Sequence, residues 1–132
     1  MTNTQNNITS KNVLVIDDEI DMLDLLVYML KNHYNVIKAC GGQAALDLLK
    51  NDATHFDVVI SDFNMPDVSG TDIYHYLAEH HADLAKRMIF TTGGVPETII
   101  NSFFKQITNP YIEKPYTRDQ LLQAIDCVLQ SK

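Results

Sequence analysis

Basic residues are in short supply. Ten Lys and Arg stand against 17 Asp and Glu, for a formal net charge of −7. Phosphate backbones attract basic patches, so no nucleic-acid contact is expected of this chain. Cysteine is scarce too. Cys40 and Cys127 are far apart and belong to no CxxC or zinc-ligand spacing, which predicts two reduced thiols and a cytoplasmic location. No apolar run approaches the roughly 20 residues needed to span a bilayer, so no membrane contact is expected. Met1 to Ser10 is polar and lacks the apolar stretch of a signal peptide. Its Asn and Thr residues predict a flexible tail over residues 1–10. There is no internal repeat, and no low-complexity block beyond that tail.

What is present is enough for one folded domain. Of the 132 residues 45% are apolar, as in globular proteins, and residues 11–132 read as a single unit. Val13-Leu14-Val15-Ile16 is a continuous apolar run, which suits a central parallel strand covered on both faces. A helix is predicted over Ile20 to Asn32, with Ile20, Leu23, Val27 and Leu30 as its inward stripe. Met22, Leu25, Leu26 and Met29 give it a second apolar side. Asn35 to Cys40 and Phe56 to Ser61 read as the next strands, with a short helix, Gln43 to Lys50, between them. Ser69 and Gly70 open a third helix, and Met88 to Thr91 form a fourth strand. Pro96 and Glu97 start another helix, proline suiting a first turn. Tyr111 to Glu113 is a short fifth strand. Thr117 and Gln120 form a capping-box pattern before the last helix, whose inward residues are Leu121, Leu122, Ile125, Val128 and Leu129. A β-α alternation repeated five times implies an α/β fold: one doubly wound parallel sheet with helices on both faces.

The chemistry lies at the strand ends, where ligands gather in open sheets of this kind. Asp17 and Asp18 follow the first strand, and Asp62 ends the third. Thr91, Thr92 and Gly93 end the fourth, and Lys114-Pro115 follows the fifth. A lone aspartate after a strand is ordinarily a turn or cap residue. Here a carboxylate nucleophile, further acids, a hydroxyl and an amine recur at successive strand ends. Those are the parts that phosphoryl transfer needs.

At these residues the chain resembles the receiver domain of bacterial two-component response regulators, over about residues 11–130. Asp17-Asp18 corresponds to the family's acidic pair. Asp62, followed by Met65-Pro66 and Gly70, corresponds to its phosphoacceptor loop, and Lys114-Pro115 to its lysine and the proline whose peptide bond is cis. The resemblance implies the five-stranded order 2-1-3-4-5 of the (βα)5 flavodoxin-like fold, which makes strands one and three neighbours. Asp17, Asp18 and Asp62 then share one crevice. A hard divalent cation relieves their repulsion, and Mg2+ combines carboxylates with water and phosphate oxygens. The Asn64 backbone carbonyl is a further expected ligand. Thr92, with compact Gly93 after it, takes the switch position rather than Thr91. Tyr111 takes that of the switch aromatic, its ring expected to turn inward as Thr92 moves.

The implied function is that of a signalling domain rather than an enzyme. A sensor histidine kinase or histidine phosphotransfer domain gives a phosphoryl group to Asp62, and the chain assists its own phosphorylation and dephosphorylation. Met22, Leu25 and Met29 exceed one buried stripe and are expected to contact the kinase helices. Ile99 with Phe103 and Ile100 with Phe104 form two apolar pairs, of which the sheet needs one. The other is expected to serve a phosphorylation-dependent homodimer. Two rival readings remain open. One is an Mg2+-dependent aspartyl-phosphate phosphohydrolase, for which Asn64 is a poor general acid; the other is a pseudo-receiver that only binds.

Overall fold

The computed structural model describes residues 11–130, so the predicted tail lies outside the described residues. Five parallel strands form one sheet in the order β2-β1-β3-β4-β5. They are β1 (Asn12–Asp17), β2 (Asn35–Cys40), β3 (Val58–Asp62), β4 (Met88–Thr92) and β5 (Tyr111–Glu113). The helices are α1 (Ile20–Leu30), α2 (Gly42–Asp52), α3 (Gly70–His80), α4 (Ala82–Ala85), α5 (Glu97–Phe104) and α6 (Arg118–Gln130). The fold is the expected doubly wound flavodoxin-like one, with a sixth helix of a single turn, Ala82–Ala85.

The continuous apolar strands work as predicted, because each face of the sheet is roofed. Leu14, Ile16, Val59 and Phe90 pack with Leu49, Ile73, Leu77 and Ile100. Val13, Val15, Ile60 and Ile89 pack on the other side with Leu23, Leu26, Leu30, Leu121 and Ile125. Each fully buried aliphatic side chain contributes roughly 1.5–3 kcal/mol. The buried stripe of α1 is Leu23, Leu26 and Leu30. Ile20 is 63% exposed and Val27 only half-buried, which corrects the predicted stripe. Periodicity gives a stripe's spacing but not its phase, and Ile20 opens the first turn at the rim of the sheet.

Local signals account for several helix boundaries. Ser69 caps α3 by accepting from the Asp72 N–H at 3.1 Å, while Asp72 accepts from the Ser69 N–H at 3.0 Å. Thr117 and Gln120 make the predicted reciprocal box at α6, at 2.8 and 3.2 Å. Before β5, the Asn109 side chain donates to the carbonyls of Ala85 (2.7 Å) and Met88 (2.8 Å). It thereby fixes the chain's approach to the sheet.

Register aligns the strand ends. Ile16 pairs with Ser61, Asp62 with Thr91, and Thr92 with Glu113. The residues that end β1, β3 and β4, and the one that follows β5, therefore meet along one edge.

Candidate functional site

Asp17, Asp62, Thr92 and Lys114 converge at this carboxyl edge. Lys114 reaches back from the end of β5, its Nζ lying 3.2 Å from Asp17 Oδ2 and 3.2 Å from Asp62 Oδ2. The Lys114–Pro115 peptide bond is cis, as the resemblance implied. Asp17 is fully buried, and its Oδ1 accepts from the Glu19 N–H at 2.9 Å. Asp18 is exposed at the mouth. One carboxylate oxygen from each of Asp17, Asp18 and Asp62 lies within 4.8 Å of the others.

The Asp62 loop is shaped by its own backbone. The Gly70 N–H donates to the Phe63 carbonyl at 3.1 Å, and the Val68 N–H to the Pro66 carbonyl at 2.8 Å. Asp67 adopts φ 68°, a left-handed conformation that Asp tolerates better than most residues. At Gly70 a methyl group would overlap the Asp62 carbonyl oxygen and sit 3.1 Å from Phe63 Cα. Gly70 therefore permits helix α3 to start directly against the acidic loop.

Charge at the site is unbalanced. Burial, above all, pushes the Asp62 carboxyl above its ordinary range; Lys114 pulls it back and Asp17 raises it further. Burial lowers the Lys114 ammonium, but the charges of Asp62 and Asp17 outweigh it and the net shift is upward. Acid and base thus move the same way, toward holding protons. Three acids beside one lysine leave the site short of positive charge, and all the nearby donor atoms are hard oxygens. Both facts fit a cation of the Mg2+ type. Asp17, Asp18 and Asp62 are the residues that would hold it.

The remaining predicted residues fall as follows. The Asn64 N–H is 3.4 Å from Asp62 Oδ1 and its side chain is exposed. Thr92 is buried and lines a cavity of about 470 Å3 with Gly93, Ile100, Tyr111 and Lys114. Thr91 is buried within the sheet, paired with Asp62 and Ile112. Tyr111 is 41% exposed, its ring 4.4 Å from that of Phe104. Met22 and Met29 are half-buried against the core, while Leu25 is exposed. Ile99 faces outward and Ile100 inward. Both Phe103 and Phe104 enter an aromatic cluster with Phe63 and Phe90, so the two predicted pairs are split rather than one being spare. Tyr116 escaped the sequence reading. It is buried and shares a cavity wall with Lys114, a placement that its position two residues after Lys114 alone would have hinted at.

Cys40 and Cys127 are free thiols, both exposed. Among the described residues no helix is long and apolar enough to cross a membrane.

Comparison with known proteins identifies the family. The family described as the response regulator receiver domain matches residues 13–126. The response regulator SaeR of Staphylococcus aureus (strain NCTC 8325 / PS 47) is 28% identical over 118 residues, 89% of this chain and 50% of that protein. The 3',5'-cyclic-nucleotide phosphodiesterase regA of Dictyostelium discoideum is 29% identical over 121 residues, 90% of this chain but 15% of that protein. The chain therefore spans half or less of these relatives. Among solved structures, a receiver domain protein from Clostridium thermocellum superposes with a TM-score of 0.82 at 28% identity, covering 90% of this chain and 94% of that one.

Proposed function

This chain belongs to the response regulator receiver domain family, and from that premise we propose that Asp62 accepts a phosphoryl group with Mg2+ bound beside it. A phosphoacceptor signalling role is what the family supports. The observation that carries the assignment to these residues is the Lys114 ammonium, 3.2 Å from both Asp17 and Asp62. Asp17 shares that ammonium but is fully buried, whereas Asp62 keeps 7% of its surface exposed.

The donor in this reading is a phosphohistidine on a sensor kinase or histidine phosphotransfer domain. An Asp62 oxygen forms the new bond to phosphorus as the phosphorus–nitrogen bond breaks, and the departing electron pair stays on the imidazole. When bound, Mg2+ supplies charge neutralisation to the phosphoryl oxygens. Lys114 pairs with the phosphoryl group once Asp62 carries it. Thr92 offers its hydroxyl from β4, and the cavity between Thr92 and Tyr111 has room for the Tyr111 ring to turn inward. Such a change shifts a population between two surfaces instead of making a new fold. Asn64, an amide two residues after Asp62, is a poor general acid, which weighs against the phosphohydrolase reading.

The partner face includes α1. With Met22 and Met29 half-buried, Leu25 offers the exposed contact, and Ile20 and Tyr28 extend it. Leu25→Asp should slow transfer from a protein donor and spare labelling by acetyl phosphate; equal loss with both removes α1 from the docking face. The exposed side chain of Ile99 suits a phosphorylation-dependent homodimer.

Acetyl phosphate with Mg2+, followed by intact mass, tests the whole reading. The expected result is one added phosphoryl group, absent in Asp62→Asn. Repeated turnover of a phosphoester would support a phosphatase instead, and no reaction a binding-only domain.

A further inference from the structure

Tyr116 has no part in the chemistry above, yet it is built into the site. It is 7% exposed. Its hydroxyl is the one buried side-chain polar atom without a hydrogen-bond partner among the described residues. Buried hydroxyls nearly always have a partner, so an orphan calls for a reason. The ring packs in the cluster beneath α1 and α6. It also lines a cavity of about 280 Å3 whose other walls are Met22, Leu25, Lys114 and Pro115. Burial first, then the charges of Asp17 and Asp62, hold its proton more firmly than in an ordinary tyrosine. The hydroxyl is thus a committed donor within electrostatic reach of both carboxylates.

Asp17 has acceptor capacity to spare. A carboxylate accepts about four hydrogen bonds, and Asp17 receives two, from the Glu19 N–H and from Lys114. The second is shared, because the same ammonium also serves Asp62. A divalent cation among these acids competes with the ammonium for Asp17 and leaves Lys114 to Asp62. We propose that Tyr116 is a positioning residue of the cation site, its hydroxyl donating to Asp17 in place of Lys114 when the cation is bound. This inference rests on the reading of Asp17, Asp18 and Asp62 as a cation site.

The test uses the full chain and Mg2+ alone. Tyr116→Phe removes only the hydroxyl. Calorimetric titration should show the Mg2+ dissociation constant raised about fivefold, the equivalent of one net hydrogen bond. The melting temperature without Mg2+ should not fall, because the hydroxyl bonds to nothing there. A tyrosine with a structural role alone gives the opposite pattern, a lowered melting temperature and unchanged Mg2+ affinity, and that result overturns the proposal. In the wild-type chain labelled at tyrosine Cζ, the Tyr116 resonance should move along the Mg2+ saturation curve. A resonance that stays fixed overturns the proposal whether or not the variant folds. If the wild-type chain binds no Mg2+, the cation-site reading falls as well; equal affinity in the two proteins overturns only the role of Tyr116.

Discussion

Replacing Lys114 with methionine keeps the aliphatic stem and removes the ammonium. Its Nζ is 3.2 Å from a fully buried carboxylate and 3.2 Å from a nearly buried one. Removing one member of a buried ion pair typically costs about 3–5 kcal/mol, because the remaining charge is left uncompensated. The Lys114 side chain is 20% exposed and the site opens to water, so screening reduces this to about 1–3 kcal/mol. Mg2+ should restore the loss. A ligand at 100 times its dissociation constant stabilises by about 2.7 kcal/mol, and with no ammonium competing the variant should gain about 1 kcal/mol more than wild type. The assay is urea unfolding at neutral pH, with and without Mg2+. The Lys114 ammonium is held above its ordinary value of 10.5, so the Mg2+-free deficit should persist up to that pH. It should close only as pH rises through the raised value. A variant as stable as wild type without Mg2+, with the same response to it, would refute the charge argument.

Three other predictions concern named contacts. Because the Asp62 carboxyl sits above its ordinary value of 3.8, the folded state binds that proton more tightly than the unfolded chain. Stability should therefore decline as pH rises from 3.8 through the raised value, then level off. Asp62→Asn should exceed wild type in melting temperature at neutral pH and match it below pH 3.8; a constant gap contradicts the assignment. Gly70→Ala should lose about 1–3 kcal/mol from the enforced overlap with the Asp62 backbone and label poorly with acetyl phosphate, while an unchanged melt and labelling rate would show that the loop yields freely. Asn109→Ala should lose about 1–3 kcal/mol, since the carbonyls of Ala85 and Met88 lose a shared donor, as thermal unfolding will show.

Much of this fold could be read from the chain because local and global signals agree. Val13 to Ile16 and Val58 to Ile60 have no polar face to offer water, and the structure roofs them on both sides. The caps at Ser69 and Thr117 follow from side-chain chemistry within four residues. The phase of α1 was not legible, since stripes containing Ile20 or Leu26 fit a helical period equally well and only the sheet decides between them. Helix α4 is one turn long, too short for a period to register. The aromatic cluster of Phe63, Phe90, Phe103 and Phe104 draws on four separated segments. No local pattern announces that meeting, so the two pairs on α5 read as one buried and one spare. At the site, Asp17, Asp18, Asp62 and Lys114 were legible as residue types at strand ends. The orphan hydroxyl of Tyr116 was not, because a missing partner is a property of three dimensions.

The central claim is that a phosphoryl group is carried by one particular carboxylate among three. Borohydride reduces an aspartyl phosphate to homoserine and leaves free carboxylates untouched. After labelling with acetyl phosphate and Mg2+, peptide mapping of the reduced chain should find homoserine at position 62 alone. Homoserine at position 17 or 18, or at none of the three in a chain that has gained phosphate, would contradict the account.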